Sequence, residues 1–162
     1  MHETIIGNHV ARVKPGDMFI HDGDFCFHNS PGGKTGEGEL WTALDYQEKL
    51  TGELIFIRGN HDRNNSCRTR IESLQVKVGG KMINVVHYPK NVNFDYELNF
   101  TAHVHNAWKF KEMIHDDGRT TDCINIGVDV WGFKPVHINE IMPAYYRWKN
   151  DVEDEHGKNK SS

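Results

Sequence analysis

The chain has 162 residues, 37% apolar and 26% charged, with a formal net charge of −4. That length makes a single domain the expectation, with a core that needs no disulfide or metal for stability. Lys and Arg are scattered rather than bunched, which speaks against a dedicated nucleic-acid or acidic-membrane surface and leaves nucleic acid only as a substrate.

Three cysteines, Cys26, Cys67 and Cys123, are widely spaced and form no CxxC pair. This pattern fits a reduced, cytoplasmic setting and disfavours a zinc ribbon. No apolar run reaches transmembrane length and the first residues do not resemble a signal peptide, so no membrane partner is expected. Histidine is the unusual count, at 11.

In chain order, Ile6, Val10 and Val13 fall at helical spacing and predict a helix over 2–13, ended by Lys14-Pro15-Gly16. Met18-Phe19-Ile20 predicts a short strand that runs into His21-Asp22-Gly23-Asp24. Residues 29–38, rich in glycine, predict a mobile loop. A helix is expected over 39–50, with Leu40, Trp41 and Leu44 on one face. Strand 54–58 follows and delivers Gly59-Asn60-His61-Asp62.

Leu74–Val78 and Met82–Val86 alternate around Gly79-Gly80 and predict a hairpin ending at His87. Strand 98–101 ends at His103-Val104-His105. Residues 108–115 and 121–128 predict a second hairpin around Asp116-Asp117-Gly118-Arg119. A C-terminal helix is expected from about 139, with Pro143 near its first turn. Residues 1–154 are expected to form one α/β domain, two packed sheet layers with helices outside, and 155–162 a polar, disordered tail.

Four polar clusters each follow an apolar strand: Gly23-Asp24, Gly59-Asn60-His61-Asp62, His87, and His103-Val104-His105. Strand ends converge in a sheet, so these residues can share one site. Carboxylate, amide oxygen and imidazole together suit a divalent transition metal better than calcium.

In that order, the four clusters resemble the calcineurin-like metallophosphoesterases, with Asn125-Ile126-Gly127-Val128-Asp129 and Lys134-Pro135-Val136 as softer features. The similarity runs from about residue 1 to 142. It implies a two-sheet αββα sandwich and a hydrolase that cleaves phosphodiesters or phosphorylated small molecules with metal-activated water. In the family's roles, Asp24 bridges two metals, and Asn60, His87 and His103 complete the second site. His105 belongs to the first. His61 faces the phosphate and serves the leaving oxygen, with Asp62 orienting it. The cofactor would be one or two ions of Mn, Fe, Zn or Ni.

The family's first strand carries Asp-x-His, the remaining ligands of the first metal, and no Asp-x-His stands ahead of Asp24. The second site is therefore expected to fill and the first to be weak or empty. Asp22 could lend a carboxylate; His2, His9 and His28 are weaker substitutes. An open sheet edge is expected where that strand would lie, and a homodimer could cover it. Two other readings stand beside hydrolysis: an impaired member of the fold that binds a metal or partner, and a plain metal-stabilised interaction module.

His21, His115, His137 and His156 are expected to be surface or hydrogen-bonded histidines. Trp131, Tyr145, Tyr146 and Trp148 are expected to pack the C-terminal helix. Arg58, Arg63 and Lys90 are expected to be solvated charges that could reach a phosphate.

Overall fold

The computed structural model describes residues 2–26, 42–62 and 69–159. The expected loop at 29–38, His28, Trp41 and Arg63 lie outside the described residues.

Helix α1 (His2–Arg12) stops before Pro15, as expected. Its buried side is His9 and Val13, whereas Val10 is half exposed. The stripe is displaced because the imidazole is used as a joint. Nε2 of His9 accepts the Thr51 N–H at 3.1 Å, and the Thr51 hydroxyl donates to the Val13 carbonyl. The His9 ring meets the Phe19 ring edge-on, with centroids 4.5 Å apart. α1 is thereby fixed to the small sheet, formed by β1 (Met18–Asp22) and β2 (Glu53–Ile57) in parallel.

Between these strands, α2 spans only Ala43–Gln47 of the helix expected over 39–50. Thr42 starts it through a capping box with Asp45, a stronger signal than the acidic residues upstream. Ala43 is the buried residue; Leu44, expected to face inward, is half exposed.

The large sheet has the order β3–β4–β5–β7–β6. β3 (Ser73–Val78) and β4 (Lys81–Val86) form the expected hairpin, and β5 (Leu98–Thr101) pairs parallel with β4 and β7. β6 (Phe110–Ile114) and β7 (Thr120–Asn125) form the second hairpin, shorter than predicted. On its inner face, Ile83, Val85, Leu98, Phe100 and Ile124 build one core with Ile57, Ile141 and Tyr145.

α3 (Ile138–Asn159) contributes to that same inner face rather than to an outer layer. The Tyr145 hydroxyl donates to Asp122 of β7 at 2.7 Å, and Lys149 reaches the same carboxylate. Tyr146, expected to pack, is half exposed. Pro143 sits a turn further in than expected, on an exposed face beside exposed Asn139, where water can satisfy the carbonyl it leaves unpaired. Residues 155–159, expected as tail, continue the helix.

The outer face of the large sheet carries a polar ladder that is buried from Asn84 to Thr121. Gln75 donates to Asn84, Asn84 to Asn99, and Asn99 to Thr121, whose hydroxyl ends on the Tyr96 carbonyl. The 88–97 segment covers it, with Val92 and Phe94 packed near Val86 and Cys123. The buried amides of Asn84 and Asn99 both donate and accept, so their burial does not carry the penalty of an unpaired group.

His21, expected to be surface or hydrogen-bonded, packs among the rings of Phe19, Phe25 and Phe56, and its Nδ1 has no hydrogen-bond partner. Desolvation pulls its pKa from 6.5 down to about 4. The unfolded chain therefore takes up this proton first as pH falls. The stabilisation that His21 has as a neutral ring is complete above pH 6.5 and is lost as pH drops toward 4. Through that window the stability of the protein relative to its His21→Phe variant should fall by about 3 kcal/mol. Urea unfolding of the pair at several pH values measures it; a constant difference would refute the assignment.

Candidate metal centre

The turn after β1 and the turn after β2 meet at two glycines. A Cβ on Gly59 would collide with the Asp24 backbone nitrogen and carboxylate, and one on Gly23 would collide with the His87 ring. Gly23 also holds a φ of +84°. Both glycines are thus required by close approach, which brings Asp24 and Asn60 beside His87.

Asp62 holds this junction closed. Its buried carboxylate accepts the N–H groups of Gly59, Asp24 and Phe25, each at 2.8 Å. Asp62 thus has a bracing role that residue order did not suggest. Asp24 in turn accepts the His61 N–H at 2.9 Å through Oδ1, which leaves Oδ2 turned toward the histidines.

His87 stands at the end of β4, buried. Its Nδ1 lies 2.7 Å from the Asp22 carbonyl. A carbonyl oxygen only accepts, so Nδ1 carries the proton and the lone pair of the neutral ring sits on Nε2. Around that Nε2 lie Asp24 Oδ2 at 3.3 Å and Asn60 Oδ1 at 3.4 Å. Three lone pairs converge there, an arrangement that is unfavourable unless a cation or a proton lies among them.

His103 adds a fourth donor. Ligating atoms of Asp24, His87 and His103 all lie within 4.8 Å of one another. Its ring packs 5.1 Å from His87 and 4.6 Å from Tyr88, which walls this side of the site. Desolvation, the largest cause, holds the His103 pKa below its usual value, which favours the neutral, ligating ring. One carboxylate, one amide oxygen and two imidazoles are a donor set that fits a divalent transition metal.

His105 goes elsewhere. Its ring is exposed, and Nδ1 pairs with Asp129 Oδ2 at 2.9 Å. Asp129 was within reach of sequence reasoning only as the end of the Asn125–Asp129 stretch. Asn125, fully buried, braces this corner: its amide donates to the carbonyls of His105 and Trp108, and its side-chain oxygen accepts the Gly127 N–H. Asp22, the offered substitute ligand, is outside the group of three, with a buried carboxylate that has no hydrogen-bond partner. His9 is committed to Thr51, His2 is described only as helix backbone, and Arg58 pairs with Glu72.

Among the described residues, four non-glycine positions have positive φ, and three of them are Asp24, His103 and His105. Such backbone costs of the order of 1–3 kcal/mol per residue and survives where the surroundings over-determine it, commonly at functional sites.

Residues 3–159 match the model of the calcineurin-like phosphoesterase family. The uncharacterized protein MJ1445 of Methanocaldococcus jannaschii is 27% identical over 152 residues, which are 92% of this chain and 77% of that protein. Among solved structures, the protein of unknown function AQ665 from Aquifex aeolicus superposes with a TM-score of 0.61 at 23% identity, over 86% of this chain and 82% of that one, a likeness of fold. With the family model spanning nearly the whole chain and the four clusters converging on one centre, this chain belongs to the calcineurin-like phosphoesterase family.

Proposed function

We propose that the chain is a hydrolase of phosphodiesters or small phosphorylated molecules that works with one divalent transition metal, held by Asp24, Asn60, His87 and His103. The observation that carries this reading is the convergence of Asp24 Oδ2 and Asn60 Oδ1 on Nε2 of His87. An ion bound there supplies Lewis acidity at a phosphoryl oxygen. The protein's own contribution is posture. The Asp22 carbonyl fixes the His87 tautomer, and Asp62 and Gly59 hold the Asp24 and Asn60 turns together. In this reading His61, exposed and next to Asn60, gives its proton to a departing oxygen.

The commitment of His105 to Asp129 favours a single ion over two. It also supports the second reading, a member of the fold that binds its metal without turnover. Manganese titration followed by calorimetry and by hydrolysis of bis(4-nitrophenyl) phosphate separates the two. We expect one ion per chain. Asn60→Ala should weaken it by about 10–100-fold. His61→Ala should leave metal affinity unchanged and lower turnover by about 10²–10⁴-fold. Metal binding with hydrolysis that is absent, or indifferent to His61→Ala, would leave only the binding reading.

Gly59→Ala tests the junction. Its Cβ must push the Asp24 turn away, so metal affinity should fall by at least as much as in Asn60→Ala, roughly 10–100-fold. The alanine removes no donor, so unchanged affinity would show that the two turns need not touch.

A further inference from the structure

The Tyr88 wall of the metal centre carries a cation. The Tyr88 ring lies 5.0 Å from the His87 ring and 4.6 Å from the His103 ring. Lys90 Nζ stands over the same tyrosine ring, 5.0 Å from its centroid. One aromatic ring thus separates an ammonium group from both imidazoles of the centre.

The backbone beneath Lys90 is fixed from both sides. The short turn Pro89–Asn91 begins at a proline, and the Asn91 N–H closes it on the Tyr88 carbonyl at 2.9 Å. Val92 is buried with Val86 and Cys123. Asn99 clamps the next residue: it accepts the Asn93 N–H at 3.0 Å and donates to the Asn93 carbonyl at 3.1 Å. The exposed four-carbon stem of Lys90 therefore swings from a fixed base.

The charges of this segment are used unequally. Asp95 pairs with Arg119 and Glu97 with Lys81, so both acids of 88–97 are committed to cations elsewhere. Among the described residues Lys90 meets no carboxylate, only the Tyr88 face. A cation–π contact at an exposed site is weak, so it perches the ammonium without neutralising it. Arg58, another cation near the motifs, is already paired with Glu72. Tyr88 is not a stacking platform for a base, because two imidazoles and the ammonium already lie against its ring.

We propose that Lys90 selects substrates in which the phosphoryl group at the metal centre is joined to a second phosphoryl group, as in a diphosphate ester. This rests on the reading of the centre as a phosphoester site. A single phosphoryl group held by Asp24, Asn60, His87 and His103 leaves the ammonium unused across the Tyr88 ring; a second one linked to it brings an anion within the swing of the stem. A compact ammonium acts as a point charge that suits a phosphoryl group, whereas planar carboxylates favour the fork of arginine. One lysine also limits length. A nucleic-acid track needs a stripe of cations, and Lys and Arg are scattered over this chain.

The test is calorimetric binding of two non-hydrolysable ligands, methylphosphonate and methylenediphosphonate, to the whole manganese-loaded chain. Wild type, Lys90→Ala and Lys90→Arg are compared at the same free manganese, because a diphosphonate also chelates the ion. We expect Lys90→Ala to weaken methylenediphosphonate by about tenfold at low salt and methylphosphonate by less than about twofold. The larger loss should shrink as salt rises, and Lys90→Arg should restore most of it. Equal losses for both ligands, or none for either, overturn the inference; hydrolysis of bis(4-nitrophenyl) phosphate by the unaltered chain then shows whether the hydrolase reading survives. Lys90-dependent binding without that hydrolysis supports the second phosphoryl position and defeats turnover alone. If neither ligand binds, this inference and the phosphoester reading fall together.

Discussion

The Asp62 carboxylate is the interaction on which the site depends. Two parallel strands end side by side, and their polar turns would repel or drift apart if left to themselves. A single buried carboxylate that receives three N–H groups, from Gly59, Asp24 and Phe25, ties one turn to the other. Hydrogen bonds to a charged acceptor contribute about 1.5–3 kcal/mol each. That is of the same order as the backbone strain carried at Asp24, His103 and His105. The clamp also explains the short side chains around it, because the turns must approach until a Cβ on Gly59 has no room.

Much of this was legible in the sequence, for a simple reason. β3, β4 and β5 were readable to within a residue or so because apolar residues there follow a strand's periodicity, and the polar clusters that end the strands mark the site. Legibility failed where a residue serves a tertiary partner instead of a period. α1 buries His9 in place of Val10 because Thr51 needs an acceptor. α2 begins at a cap rather than where its apolar spacing starts. Asn84 and Asn99 sit at alternating positions that normally face water, yet they are buried beneath 88–97. The Asp62 clamp binds backbone N–H groups, which every residue but proline carries, so no pattern of side chains could announce it.

The chemistry of the centre follows from what surrounds His87. Its Nδ1 proton is held by a main-chain carbonyl from β1, and its Nε2 faces oxygen atoms from the β1 and β2 turns. The imidazole therefore links the large sheet to both strands of the small one. The electrostatics that suit it to a cation also make the empty arrangement costly, since carboxylate, amide oxygen and imidazole lone pair oppose one another. Metal binding in such a site is coupled to the docking of the two sheets.

That coupling puts weight on the weaker sheet. Five strands, a satisfied polar ladder and α3 make the large sheet self-sufficient, and it contributes His87 and His103. Asp24 and Asn60 come from the two-stranded sheet, and two strands alone are marginal in water. α1 supports that sheet on the outside through His9, and Ile57 anchors it within the core. Among the described residues no strand pairs with the outer edge of β1, and the Asp22 carboxyl, without a hydrogen-bond partner, stands two residues before Asp24. The posture of Asp24 therefore depends on how firmly His9 and Ile57 hold the small sheet to the rest of the fold.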